Sequence, residues 1–208
     1  FSDSLSAILN NITSRTSSAA SVALNSGSVS SDTRIYQARF KSGDWSGQLL
    51  AYEIDSDALI ANLDWDASTL IPRPGQRIIS TYDGSTGQRF RWGRLTATQQ
   101  AQLGSREVLS YIRGNGREEI RNGGSFRNRN TRLGDIINST PTYVAKPNAS
   151  YPNYWGPSQP ENDVPYSSFV TANANRQPLI YVGANDGMMH AFNASTGVEE
   201  FAYIPNII

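Results

Sequence analysis

The sequence predicts a mainly β protein that forms part of a β-propeller, with a short N-terminal helical segment and a few helical insertions. Hydrophobic residues make up only 38% of the 208 residues, and 17 residues are glycine. This composition favours many turns and short strands over long helices. Segments with alternating apolar and polar residues, and a ten-residue frame that occurs twice, indicate the same fold class.

The first segment predicts a short helix that packs on a neighbouring domain. Its aliphatic residues recur at helical spacing: Leu5, Ile8, Leu9 and Ile12. We expect residues 1–32 to be a helical, serine-rich lead-in and residues 33–208 to be the N-terminal part of the propeller.

Strand signals begin at Thr33. RIYQARF alternates with period two, and SGDWSGQLLAYEID adds a glycine-rich turn and a second strand, so the two predict a β-hairpin. RIISTY predicts another strand, which the turn DGSTG connects to QRFRW. By contrast, we expect loops at residues 64–66 and 71–75. TATQQAQLGSREVLSYIRG predicts one helix or two, broken at Gly104.

The repeated frame reads G-x-x-x-G-x-(Leu/Met)-x-Ala-(Tyr/Phe) and lies at residues 43–52 and 183–192. A second shared turn, DGSTG in one copy and NASTG in the other, lies at residues 83–87 and 193–197. We expect positive φ at Gly183 and Gly187, where glycine adopts it without steric cost. The predicted structural turn motif comprises Gly43, Gly47, Gly183, Asp186, Gly187 and Gly197.

The second copy predicts a complete four-stranded blade. Its strands are expected at residues 142–144, 179–182, 188–192 and 200–204. The segment 146–178 separates the first two strands and is rich in Pro, Asn, Tyr and Ser, so it predicts an insertion with a function of its own or a cover over a surface. Units that repeat in this way bury their faces against each other in propellers and solenoids.

The order of motifs in this region resembles a known family. RLGDIINSTPTYV followed by YVGANDGMMHAFNASTGVEEFAYIP is similar to the PilC/PilY family of type IV pilus tip-associated adhesins. The resemblance implies a piece of a large exported protein at the cell surface, pilus tip or outer membrane. It also implies roles in pilus biogenesis, twitching motility and attachment. Minor pilins, other pilus-tip proteins and host or abiotic surfaces are the implied partners.

No catalytic, cofactor or metal site is predicted for this segment. Some members of the family bind calcium through a D-x-D-x-D-G loop, which this sequence lacks, so calcium is expected only elsewhere in the parent protein. His190 is the single histidine, and it replaces the apolar Leu50 of the first frame. We therefore expect a buried imidazole bonded to a backbone group. For Asp186 a turn-capping role is favoured over a carboxylate displayed at the surface.

Two surface features suggest binding. Seven arginines lie between Arg106 and Arg132. Because the net charge is zero and few aromatics are interleaved, we predict structural ion pairs, with an acidic protein partner as the minor alternative and no nucleic acid. The aromatic residues of the insertion either contact a partner or fold back as a cover. The candidate contact residues are Tyr151, Tyr154, Trp155, Tyr166 and Phe169.

Two other functions are compatible with repeated blades. The first is a fragment of a quinoprotein dehydrogenase, whose repeats usually carry a tryptophan after the TG turn. Here Phe90-Arg91-Trp92 follows one turn and Phe201-Ala202-Tyr203 the other, which weakens this alternative. The second is a glycan-binding β-repeat scaffold. No apolar run reaches the roughly 18 residues of a membrane span.

Overall fold

The computed structural model describes residues 19–24, 34–41, 44–54 and 60–205, which form two β-sheets. The first sheet is an antiparallel meander of four strands in chain order. Its strands are β1 (Ala19–Leu24), β2 (Arg34–Lys41), β3 (Ser46–Ile54) and β4 (Ile60–Asp66). The predicted hairpin is therefore β2 and β3. The helix predicted near the N-terminus lies outside the described residues, whereas β1 falls within the predicted lead-in and pairs with β2 across the predicted boundary at residue 33.

Strand β4 corrects one sequence prediction, because residues 64–66 form a strand end and not a loop. Acidic residues usually indicate loops, but both carboxylates are used here. Asp64 accepts a 2.8 Å hydrogen bond from Nε of Arg34, and Asp66 caps the short helix α1 (Ala67–Leu70) by accepting from the Ser68 amide at 2.9 Å. Trp65 is buried between them.

The second sheet has six strands. Four of them form the predicted antiparallel blade: β7 (Thr142–Val144), β8 (Leu179–Ala184), β9 (Met188–Asn193) and β10 (Glu199–Ile204). The remaining two are β5 (Ile79–Tyr82), which pairs in parallel with β10, and β6 (Gly87–Arg89), which pairs with β5. The fold class is thus confirmed as mainly β. The two described sheets do not close into a ring, as expected for part of a propeller.

Helices α2 (Ala97–Leu103) and α3 (Arg106–Ile112) are separated at Gly104, as predicted. Thr96 and Gln99 form a capping box at the start of α2. Apolar residues of both helices pack with Ile79, Ala202 and other residues of the six-stranded sheet. A fourth helix, α4 (Tyr166–Ala172), lies in the insertion between β7 and β8. No helix in the described part of the chain has the length and hydropathy that a membrane span requires.

The two sheets share one hydrophobic core. Tyr36 and Leu49 of the first sheet pack in the same cluster as Ile180 and Phe192 of the second. The turn at residues 193–197 contacts the first sheet directly, since the Tyr36 hydroxyl donates to the carbonyl of Ala194 at 3.1 Å. Burial of these large side chains makes the two sheets one packed unit.

Candidate functional site

The segment Leu133–Asp135 connects the hairpin turns of the two sheets, and we call it the clasp. The Gly47 amide donates to the Leu133 carbonyl at 3.0 Å, and the Asn185 amide donates to the Asp135 carbonyl at 2.9 Å. Its central residue, Gly134, donates its amide to Oδ2 of Asp186 at 3.1 Å. One short segment thus links both hairpins, and it corresponds to the LGD of the motif RLGDI.

The clasp requires very close backbone contact. A Cβ atom on Gly47 would lie 2.0 Å from the Gly134 carbonyl oxygen, and a Cβ on Gly134 would lie 2.6 Å from the Asp186 amide nitrogen. Real Cβ atoms do not approach backbone atoms this closely. Glycine is therefore needed at both positions, because there is no room for a side chain.

The glycines of the repeated frame have different roles in the two copies. Gly187 lies in the second turn with φ of 84°. Gly183 lies within β8 and has no positive φ, so that expectation was wrong; the turn between β8 and β9 needs only one left-handed residue. In the first hairpin the positive φ belongs to Trp45, at 52°. Gly43 lies outside the described residues.

Gly197 meets two requirements at once. Its φ is 71°, and a Cβ atom would lie 2.6 Å from the indole ring of Trp65. Asn193 begins this turn by accepting hydrogen bonds from the amides of Ser195 and Thr196 at 2.9 and 3.1 Å. The turn therefore both reverses the chain and supports the tryptophan of the first sheet.

Four charged side chains continue inward from the clasp as a buried relay. Asp186 contacts Nε2 of His190 at 3.1 Å, and Nδ1 of His190 contacts Oε1 of Glu199 at 2.7 Å. Glu199 also accepts two 2.7 Å hydrogen bonds from Nε and Nη2 of Arg77. Apart from Asp186, whose side chain is 18% exposed, these side chains are almost completely buried.

The relay corrects the prediction for His190, whose partners are two carboxylates and not a backbone group. Burial lowers the pKa of His190, but the charge of Asp186 and hydrogen bonds to both carboxylates outweigh it and raise this pKa to about 9. Burial likewise opposes ionisation of Glu199 and Asp186, yet their pKa values are lowered overall by His190 and, at Glu199, Arg77. The relay therefore holds two positive and two negative charges.

Asp186 is both a turn residue and a tertiary anchor. Its Oδ1 accepts from the Met188 amide at 3.1 Å, which caps the turn as expected. The same side chain also contacts Gly134 of the clasp and His190 of the relay. Because both ring nitrogens of His190 are occupied and the ring is fully buried, the relay offers no base to a substrate in solvent.

The insertion presents its aromatic side chains to solvent. Tyr151, Tyr154, Trp155 and Phe169 are 60%, 64%, 49% and 45% exposed. Tyr166 packs edge-on against Tyr151, with ring centroids 5.2 Å apart. We call these residues the aromatic patch. These side chains are thus accessible to solvent on this face of the insertion.

Internal hydrogen bonds hold the backbone of the insertion around this patch. Oδ1 of Asn153 accepts from the Ser167 amide at 2.8 Å, which joins a loop to helix α4. The amide of Trp155 donates to Oδ1 of Asn162 at 2.9 Å, and the side-chain amide of Asn162 donates to the Gly156 carbonyl at 2.7 Å.

The arginine-rich segment contains the predicted ion pairs. Glu119 is buried and accepts from Arg121 at 2.5 Å and from Arg129 at 3.2 Å. Arg129 also stacks on the Tyr111 ring, 3.6 Å from its centroid. Arg113 is buried, and among the described residues its guanidinium donates only to carbonyl groups, those of Phe90, Pro74 and Arg77. Burial and neighbouring arginines lower the pKa of Arg113 to about 10.

Comparison with known proteins places this chain in a family. Residues 133–208 match the family model described as the PilY1 beta-propeller domain. A type IV pilus biogenesis factor PilY1 homolog of Xylella fastidiosa is 38% identical over 87% of this chain, and the type IV pilus biogenesis factor PilY1 of Pseudomonas aeruginosa is 34% identical over 97% of it. The chain belongs to the PilY1 family. No solved structure matches the chain significantly.

The PilY1 match confirms the resemblance that the motifs suggested. It begins at Leu133 of the clasp and includes the insertion and strands β7 to β10. The alignments with the PilY1 relatives also include most of the first sheet's part of the chain, yet they cover only 14% and 19% of those two proteins. The chain thus spans less than a fifth of the PilY1 relatives it matches.

Proposed function

We propose that this chain is a non-catalytic module of a type IV pilus biogenesis factor that is exported to the cell surface and the pilus tip. There it supports pilus assembly, twitching motility and surface attachment. The assignment of the PilY1 relatives as type IV pilus biogenesis factors supports the role in biogenesis. The buried His190, with both nitrogens bonded to carboxylates, supports a non-catalytic role.

The aromatic patch is the observation that supports a direct protein contact. Exposed Tyr and Trp side chains supply much of the binding energy at protein interfaces. The hydrogen bonds of Asn153 and Asn162 keep the surrounding loops in one conformation. A prearranged surface loses less conformational entropy when a partner binds. The proposed partner is a minor pilin or another pilus-tip protein.

The experiment replaces two adjacent exposed loop aromatics in the full-length gene, Tyr154→Ala and Trp155→Ala. We expect the exported protein to remain at normal levels, while surface pili, twitching zones and co-purification with minor pilins are strongly reduced. The control is Val164→Ala, since Val164 is 73% exposed on the same insertion but lies outside the aromatic patch. Normal piliation, twitching and pilin co-purification in the double variant would contradict the proposed contact.

A second measurement tests the non-catalytic assignment. The full-length protein is expected to show no quinone absorbance as purified. After incubation with quinone and calcium, it is expected to show no dye-linked alcohol or sugar dehydrogenase activity. Quinone-dependent turnover would instead identify a quinoprotein dehydrogenase and overturn this assignment.

A further inference from the structure

A basic cleft of about 280 Å³ lies between helix α1 and the arginine-rich segment. Three arginines line it together with polar, uncharged residues, and none of the described lining residues is acidic. This lining differs from the neighbouring cleft at the clasp, which also contains Asp44, Asp135 and Asp186. The arginines of the basic cleft are Arg121, Arg129 and Arg132.

The three arginines differ in how far their charges are already compensated. Arg129 donates to Glu119 and to the carbonyls of Tyr111 and Asn115, so its hydrogen-bonding groups are occupied within the protein. Arg121 shares Glu119 with Arg129, and its Nη2 also donates to the Arg129 carbonyl at 2.6 Å. Its side chain nevertheless remains 49% exposed and lines the cleft.

Arg132 has no carboxylate partner among the described residues. Its Nη1 donates to the Ile71 carbonyl at 3.3 Å, and its Nε is buried without a hydrogen-bond partner. The stem is fixed against Gly114, where an added Cβ would lie 2.8 Å from Cδ of Arg132. Arg132 also lines the cleft at the clasp that contains Asp44, Asp135 and Asp186. A partly buried arginine that is held in place and forms no ion pair with a described carboxylate favours an anion beside it.

The size of the basic cleft limits what the anion can belong to. Its volume corresponds to roughly nine water molecules and lies at the lower end of the range for small-molecule sites. It is larger than a single small ion needs, and it suits one or two carboxylate side chains. Arg117, on the same segment, is 86% exposed and is not among the residues that line the cleft.

We propose that the basic cleft, centred on Arg132 and Arg121, binds an acidic peptide segment of a protein partner through its Asp or Glu side chains. The guanidinium edges of the two arginines receive the carboxylate oxygens. Binding of this kind weakens as salt screens the charges. This inference does not depend on the aromatic patch or on pilus function, because it is tested with purified protein and a synthetic peptide.

The test measures the fluorescence anisotropy of a labelled hexaglutamate peptide added to the purified full-length protein. We expect saturable binding that weakens with added NaCl, and no binding of hexaglutamine. Arg132→Met and Arg121→Gln are each expected to weaken binding about tenfold, as loss of a charge-assisted hydrogen bond does. Arg117→Gln removes the same charge from the same segment but lies outside the cleft. The affinity of this variant for hexaglutamate should therefore stay within about twofold of the wild-type value.

A second variant keeps the test valid if Arg132→Met does not fold. Thr69 is an exposed residue that lines the basic cleft, so Thr69→Glu adds a carboxylate there without disturbing the core, and it should abolish peptide binding. Unchanged binding in both Thr69→Glu and Arg121→Gln would overturn the proposal. So would an equal loss in Arg117→Gln, or inorganic phosphate that displaces the peptide at lower concentration than unlabelled hexaglutamate does.

Discussion

His190 Nδ1 and Glu199 Oε1 lie 2.7 Å apart, and neither side chain has more than 1% of its surface exposed. The first sheet has Leu50 at the position that His190 occupies in the repeated frame. The second sheet therefore has a charged relay where the first has an apolar residue. Through Asp186, this relay reaches the clasp that joins the two sheets.

Replacing His190 with leucine, the residue of the first frame, is expected to destabilise the second sheet by about 3 kcal/mol, because Asp186 and Glu199 each lose a buried positive partner. Hydrogen exchange of the full-length protein checks this, with protection expected to fall in β9, β10 and the clasp. Met189→Leu is the control, since Met189 is 40% exposed. Unaltered protection in the His190 variant would show that the relay contributes little to stability.

Stability should depend on pH in a way that His190 determines. Its pKa is raised from 6.5 to about 9 in the folded protein, so its contribution is complete below pH 6.5 and is lost as the pH rises through 9. The difference is about 3 kcal/mol. Asp186 and Glu199 have lowered pKa values, so their contributions are lost as the pH falls below their ordinary values of 3.8 and 4.5.

Urea unfolding at several pH values checks this in the wild-type protein and in His190→Gln, which cannot titrate at this position. The stability difference between the two proteins should shrink between pH 6.5 and 9. A constant difference over that interval would mean that His190 is not protonated in the folded state.

Gly187→Val should destabilise the hairpin of β8 and β9 by about 2 kcal/mol or more, because a β-branched residue is strained at a φ of 84°. Limited proteolysis of the full-length protein is expected to cut this hairpin faster. Gly183→Ala is the matched control: it lies in β8 without positive φ, and its Cβ would meet the Ser139 hydroxyl at an ordinary 3.4 Å. If the wild-type protein, Gly187→Val and Gly183→Ala resisted proteolysis equally, the result would argue against the observed turn.

Gly47→Ala should separate the first hairpin from the clasp, since its Cβ would lie 2.0 Å from the Gly134 carbonyl oxygen. We expect a loss of about 3 kcal/mol, with increased hydrogen exchange at the amide of residue 47 and in the clasp. Gly75→Ala is the control, because no atom lies within 4 Å of the position of its Cβ. Wild-type exchange in Gly47→Ala would show that the backbone shifts easily to accommodate the methyl group.

Local sequence patterns predicted the strands and helices that depend only on neighbouring residues. Period-two alternation identified β2 and β3, and the four strands of the second blade were found from turns and spacing. The break between α2 and α3 followed from Gly104. Strand β4 was missed because its acidic residues indicate a loop unless Arg34, far away in sequence, is known to pair with Asp64.

Long-range contacts account for the rest. The buried pair of Arg77 and Glu199 joins two segments that lie far apart in the chain, so neither local pattern identifies the partner of the other residue. The carboxylates around His190 were missed for the same reason, although Asp186 lies only four residues away in the chain. One signal was available: Glu199 and Arg77 stand at the starts of apolar segments, where an unpaired charge is costly.

The parallel pairing of β5 with β10 determines when this part of the chain can fold. Strand β5 is made before β7, β8 and β9, but its partner β10 follows all three in the chain, so this edge of β5 stays open until β10 has been made. Closing so long a loop is slow. A chain that ends before Glu199 would therefore expose an unpaired strand edge that is prone to aggregation.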